Sequence, residues 1–333
     1  MRHWWWKILS VVLVLGASIT ALRVPLAPAV VSVLPDRIAP GTVALEIRGY
    51  NMALHDPQVR LINDGQTLCA ASVEPMEGGR LRATFDIPAG LRARMTDVVV
   101  DGVRLPEALY TEGLGPGITE RPGCSGGWPR LHAFPSFEFP NRAILYESIR
   151  NLNFHVPMWF TMIVLMGISF VNSLLALQRN DLERDGAAVA AARTGLFFCA
   201  LGLITGSIWA RFTWGTWWTS DVKLNGAAVG ALIYAAYLVL RGSVGEANKR
   251  MRLAGVYNIF AFSLLIVLLF VLPRLNAVDS LHPGNGGNPA FSTYDLDSHL
   301  RLVFYPAVLG WIGMGVWMFT LGRRMARLEN RTT

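Results

Sequence analysis

Six stretches of the chain carry apolar residues almost without a break: 4–22, 156–177, 194–210, 224–240, 253–272 and 302–321. Each is about the length a helix needs to cross a bilayer. The third and fourth are the shortest, and Trp or Tyr flanks both. Six transmembrane helices are therefore predicted. Between the first and second the period changes. Short β-rich runs at 29–34, 42–48, 58–62, 68–73, 81–87 and 97–100 alternate with turn signals such as N-D-G and E-G-G. That rhythm predicts a small antiparallel β-sandwich over residues 24–115. Gly and Pro dominate 116–140, which reads as a linker. Within 141–154, Ile144, Leu145, Ile149 and Leu152 fall at helical spacing, predicting an amphipathic helix on the membrane surface. Pro157 suits the first turn of the span that follows. The mixed-charge stretch 178–193 is predicted as a loop and 323–333 as a tail. The membrane domain proper covers 141–322.

Composition agrees with this pattern. The chain of 333 residues is 52% hydrophobic and only 16% charged, which belongs to a membrane protein. Charge then gives orientation. With the N-terminus inside, Arg2, Lys7, Arg179, Arg184, Arg193, Arg241, Lys249, Arg250, Arg252, Arg323, Arg324, Arg327 and Arg331 are cytoplasmic, thirteen in all. The short outer segments hold four: Arg211, Lys223, Arg274 and Arg301. Excess Lys and Arg mark the cytoplasmic side, so both termini are expected there and residues 23–155 outside. The formal charge of +7 needs no nucleic-acid partner, because these flanks account for much of it. Residues 1–22 resemble a signal sequence, with a basic start and small residues near Ala17 and Ala21. Three Trp and the length favour an uncleaved anchor.

Little chemistry is visible outside the spans' outer ends. His55 beside Asp56 reads as a turn residue, and His132 as a solvated linker residue. Cys69 and Cys124 would both face an oxidising compartment, with or without a bridge between them. Cys199 lies in a span and reads as packing. No glycine-rich phosphate loop occurs, so the chain shows no ATPase of its own.

The concentration of chemistry is at 209–221, W-A-R-F-T-W-G-T-W-W-T-S-D, which holds four of the eleven Trp. An interfacial aromatic belt is one reading of such a run. A platform for a flat ligand is the other. The predicted topology brings two histidines to the same face: His155, in N-F-H-V-P at the mouth of the second span, and His282, in S-L-H-P-G-N after the fifth. Two neutral imidazoles plus an aromatic shelf suit a porphyrin iron. Arg211, Lys223, Arg274 and Arg301 are cations that could meet its propionates. His299, near the sixth span, is an alternative second ligand. His3 is on the wrong side. Zinc is disfavoured, since no Cys or carboxylate stands at ligand spacing from either histidine.

These residues carry a resemblance. W-G-T-W-W-T-S-D, from Trp214 to Asp221, resembles the tryptophan-rich (WWD) signature of the haem-handling membrane proteins of cytochrome c biogenesis. Within that superfamily the six-span layout is most similar to haem exporter protein C of the cytochrome c maturation system. The similarity covers the first span and residues 141–322. H-V-P matches one family haem ligand, which implies His155; L-H after the fifth span matches the other, which implies His282. Trp214, Trp217 and Trp218 would then form the shelf, and Gly215 would let the backbone approach the ring. Asp221 would orient a partner or bond within the loop. The resemblance implies haem b as cofactor, a delivery role rather than catalysis, and a bacterial inner-membrane location. Implied partners are a periplasmic haem chaperone, the ATP-binding cassette subunits and small membrane subunit of the maturation complex, and membrane lipid.

Two positions depart from the family pattern. Ser220 stands where Trp usually precedes the Asp. Lys223 stands where Arg is frequent, keeping charge but losing bidentate geometry. The β-sandwich is also unusual; its D-R-I-A-P-G-T-V-A-L-E-I-R-G-Y-N stretch resembles immunoglobulin-like modules of bacterial surface receptors. The expected fold class is thus an all-α integral membrane protein of about six helices, with an Ig-like β-sandwich inserted after the first. Three rival functions stand beside it: a haem lyase subunit, expected to carry further histidines within its spans, a haem transporter, expected to carry a polar path through them, and a structural receptor in which the β-domain does the work.

Overall fold

A computed structural model describes residues 4–52, 56–63, 66–88, 93–112, 137–275, 280–282, 292 and 295–332. The chain divides into two compact units, Met1–Val24 with Glu147–Thr333, and Pro25–Tyr146.

Among the described residues of the first unit, six helices are long and apolar enough to cross a membrane. They are α1 (Trp5–Arg23), α2 (Leu152–Arg179), α3 (Leu182–Trp214), α4 (Val222–Ser243), α5 (Ala247–Ile266) and α6 (Ser298–Thr332). The helical path of α5 continues through a wider turn, Val267–Val271, and a tight one, Leu272–Arg274. The buried core gathers Met158, Met162, Leu165 and Met166 of α2, the alanines of α3, Tyr234 and Tyr237 of α4, and Leu265 of α5. In lipid no water-driven force pulls helices together, so close approach at small residues matters. A Cβ at Gly310 of α6 would meet the α1 backbone at 2.9 Å. One at Gly226 of α4 would meet the Leu268 carbonyl at 2.9 Å.

Three predicted boundaries move. The loop expected at 178–193 is largely helix, because Asn180 turns the chain in the left-handed region (φ 51°) and Asp181 caps α3 at once. The Asp181 carboxylate accepts from the Glu183 and Arg184 N–H groups at 2.8 and 3.2 Å. The charges that suggested a loop are spent inside the bundle: Asp185 and Arg241 form a bidentate pair at 2.6 and 2.7 Å, almost buried. The amphipathic helix expected at 141–154 shrinks to a tight-wound turn, Tyr146–Asn151, running straight into α2. Ile144 is exposed with φ 72°, which no helix permits. Pro157 consequently stands in the second turn of α2, not the first. Residues 323–332 continue α6.

The second unit is a β-structure of two sheets, ordered β1-β3-β7-β6 and β2-β9-β8-β4-β5. The strands are β1 (Ala29–Leu34), β2 (Arg37–Ile38), β3 (Gly41–Tyr50), β4 (Val59–Asn63), β5 (Gln66–Cys69), β6 (Ser72–Met76), β7 (Arg80–Ile87), β8 (Arg94–Val100) and β9 (Val103–Thr111). Alternation along β7 turns Leu81, Ala83, Phe85 and Ile87 inward. They share one core with Leu61, Val98, Val100 and Leu109 of the other sheet. The single run predicted at 68–73 is two strands in different sheets, since the chain crosses over at Ala70–Ala71. β2 and β9 were not foreseen, and their pairing is parallel. Cys69 is disulfide-bonded and Cys199 is free and buried. His3, His55, Cys124 and His132 lie outside the described residues.

Candidate functional site

His155 is the fourth residue of α2 and is 9% exposed. It is held from α3. Its Nδ1 lies 3.1 Å from Thr205 Oγ1, and Thr205 donates its own proton to the Leu201 carbonyl at 2.8 Å. One turn along α2, the Trp159 indole donates to His155 Nε2 at 3.2 Å. Trp209 meets the imidazole edge-on, with ring centroids 5.8 Å apart. There is no room for a side chain at Gly206, where a Cβ would reach His155 Cε1 at 2.6 Å.

His282 is positioned by Asp221. This residue is the N-cap of α4, its Oδ1 accepting from the Lys223 and Leu224 N–H groups at 2.8 and 3.3 Å. The same oxygen lies 3.1 Å from His282 Nδ1. Oδ2 accepts from the Ser280 hydroxyl at 2.9 Å and the Leu281 N–H at 2.7 Å. The side chain is wholly buried. Burial opposes its charge, but the imidazole, the hydroxyl and the N–H outweigh burial and hold the carboxyl well below the usual carboxylate range. Trp214 stands edge-on to the imidazole, centroids 5.2 Å apart. Among the described residues nothing hydrogen-bonds His282 Nε2.

The tryptophan-rich stretch therefore reaches both histidines, Trp209 touching one and Trp214 the other. Trp217 and Trp218 remain open, at 59% and 41% exposure. Gly215 ends α3 at φ 75°, a conformation that favours glycine, and Arg211 donates to its carbonyl. Trp218 donates to Asn225 at 3.2 Å. Beside Asp221 opens a cleft of about 440 Å³ lined by Thr219, Ser220, Ser280 and Leu281. Lys223 sits on the first turn of α4. Arg274 turns back to the Phe270 carbonyl at 2.7 Å.

Thr205, Trp159, Gly202 and Gly206 were not singled out from the sequence. Their signals were there: a Trp four residues after His155, and G-x-x-x-G at 202–206. Each is common in membrane helices, and only the α2–α3 pairing gives them meaning.

The class defined by this fold and site is a six-helix membrane protein carrying two partnered histidines around a tryptophan-rich turn. A family model described as "CcmC: Heme exporter protein C" matches residues 136–331. The chain belongs to that family. It is 29% identical over 211 residues to "Heme exporter protein C" of Rhodobacter capsulatus, covering 59% of this chain and 82% of that one. It is 25% identical over 186 residues to the Haemophilus influenzae protein of the same name, covering 55% and 73%. A 78-residue segment is 41% identical to "Cytochrome c biogenesis protein CcsA" of Prochlorococcus marinus, covering 23% of this chain and 25% of that one.

Proposed function

We propose that this multi-pass membrane protein binds haem b between His155 and His282 and presents it, at the outer face of a bacterial inner membrane, for cytochrome c maturation. Family membership and the CcsA likeness support a role in haem handling for cytochrome c biogenesis. The observation that carries the site is that each imidazole has Nδ1 against a protein oxygen, Thr205 Oγ1 or Asp221 Oδ1. That arrangement leaves Nε2 as the ligating atom and fixes ring orientation. Among the described residues, no cluster of three or more His, Cys, Asp or Glu suits a bare metal ion. A macrocyclic iron needs only the two axial nitrogens from protein. The donor set fits haem.

When bound, haem supplies an iron that accepts two imidazoles and a flat apolar face. The chain supplies the rest. Exposed Trp217 and Trp218 offer a stacking surface, and Arg211, Lys223, Arg274 and Arg301 offer cations for carboxylates. A periplasmic haem chaperone is the proposed recipient, with the cassette-ATPase subunits and a small membrane subunit as partners. Both termini are cytoplasmic in this reading, from the thirteen-to-four basic bias. The β-unit is a periplasmic, immunoglobulin-like module. Its β1-β3-β7-β6 and β9-β8-β4 orders support that reading, corresponding to the ABED and GFC orders of such folds.

Absorption spectra of the purified protein test the site. The expected spectrum is low-spin bis-imidazole. His155→Ala and His282→Ala should each shift it to high spin, and added imidazole should restore it. His299→Ala should leave it unchanged. A low-spin signal lost in His299→Ala and kept in His282→Ala refutes the second ligand.

A further inference from the structure

We propose that Trp159 and Asp221 make the two imidazoles unequal ligands, His282 the anchor and His155 the one that exchanges; this rests on the haem reading above. An indole N–H can only donate. Since Trp159 Nε1 lies 3.2 Å from His155 Nε2, that nitrogen holds the lone pair. The proton is then on Nδ1, facing Thr205 Oγ1, which is free to accept because its own proton goes to Leu201. The chain presets the tautomer that ligation uses, yet keeps the ligating lone pair against an indole.

Packing holds the cap in place. A Cβ at Gly202 would meet the Trp159 ring at 2.8 Å, and one at Gly206 would meet His155 at 2.6 Å. Two side chains one turn apart on α2 are seated where two glycines one turn apart open α3. At His282 the order is reversed. A carboxylate stands behind Nδ1, where His155 has a hydroxyl, and no donor among the described residues covers Nε2. A carboxylate partner raises imidazole basicity. Binding at His155 must break a hydrogen bond; at His282 no described residue holds Nε2 in one.

The cap is tested on the haem-free full chain by diethyl pyrocarbonate, which modifies unprotonated imidazole nitrogen, with both histidines followed by mass spectrometry. Trp159→Phe keeps a ring in the glycine groove and removes the donor. His155 should react about 5-fold faster, the factor one neutral hydrogen bond of ordinary strength gives, and His282 at its original rate. Trp159→Gln restores a donor and should return His155 most of the way. An unchanged His155 rate in Trp159→Phe overturns the cap. So does faster reaction of both histidines in both variants, which makes Trp159 a packing residue. The ranking is read on haem-loaded protein: His155→Ala should retain at least about 3-fold more haem than His282→Ala, since it loses the partner with the weaker support. Equal or reversed retention overturns the ranking. If the wild-type chain takes up no haem, the haem reading and the ranking fall together, while the haem-free arm still decides the cap.

Discussion

His155 sits inside a helix and His282 on the connection between Arg274 and α6, and the chain secures them by different chemistry. The first is gripped by shape: a glycine face on α3, two tryptophan edges and a neutral hydroxyl. The second is gripped by charge: one buried carboxylate collects the loop's hydroxyl, its backbone N–H, the imidazole and the first turn of α4. A helix can afford neutral partners because its backbone already fixes the side chain's origin. A loop has no such frame, and a single ionised hub substitutes for one. The general lesson concerns where strength is needed. Here the polar partners follow the rigidity of the element that carries each histidine.

The sharpest way to break this contrast is Asp221→Ala. It takes the acceptor from several part-buried donors, each loss costing up to about 1–3 kcal/mol, and removes an N-cap worth about 1 kcal/mol. Amide exchange at Leu281 should accelerate by more than 100-fold, with His155 unaffected. Slow exchange in the variant would show that something else tethers the loop. Gly206→Val attacks the other side by bulk. Overpacking of this kind costs about 1–3 kcal/mol. It should displace His155 and abolish low-spin haem while Leu281 exchange stays normal. Thr205→Val removes the acceptor for Nδ1 with little change of volume. A single neutral hydrogen bond is at stake, about 1 kcal/mol, and haem affinity should fall by no more than about 10-fold. A larger loss would mean that His155 depends on polarity after all.

The smallest expected effect is that of pH on the carboxylate hub. Asp221 is held below the usual range, so its contribution is fully present above the ordinary carboxyl pKa of about 3.9. It is lost only as pH falls through the lower, folded value. Leu281 exchange, corrected for intrinsic rate, should be flat between pH 8 and pH 5. A midpoint between 5 and 7 would contradict an ionised hub.

Much of the membrane unit was legible because hydropathy is a one-dimensional property. Six apolar runs gave six helices, with α1 within a residue of its reading. What failed was punctuation. Glu183, Arg184 and Asp185 looked like loop charges because a sequence does not reveal that Arg241 is waiting for Asp185. β9 was missed because Pro106 and Glu107 interrupt its apolar pattern, and Glu107 is accommodated at φ 51° with its N–H on Asp97. At the site, single chemical types were visible and their pairings were not. Asp221, expected to orient a partner or bond within its own loop, bonds its neighbours Lys223 and Leu224 and also residues about sixty positions away. Trp214, expected on a shelf with Trp217 and Trp218, stands edge-on to His282.

The contact of α1 with α6 has a consequence for the order of events at the ribosome. Lys7 lies 4.2 Å from the Trp4 ring and 5.2 Å from that of Trp317, and Gly310 opens α6 to the α1 backbone. Chains emerge from the N-terminus onward, and domains tend to fold as they emerge. The earliest of these six helices therefore packs chiefly against the latest of them. Until translation reaches Gly310 and Trp317, the first span stands in lipid without its main neighbour, while the β-unit that follows it is already free to fold. Closure of the bundle around α1 awaits α6, and truncation anywhere before α6 leaves α1 without its main neighbour.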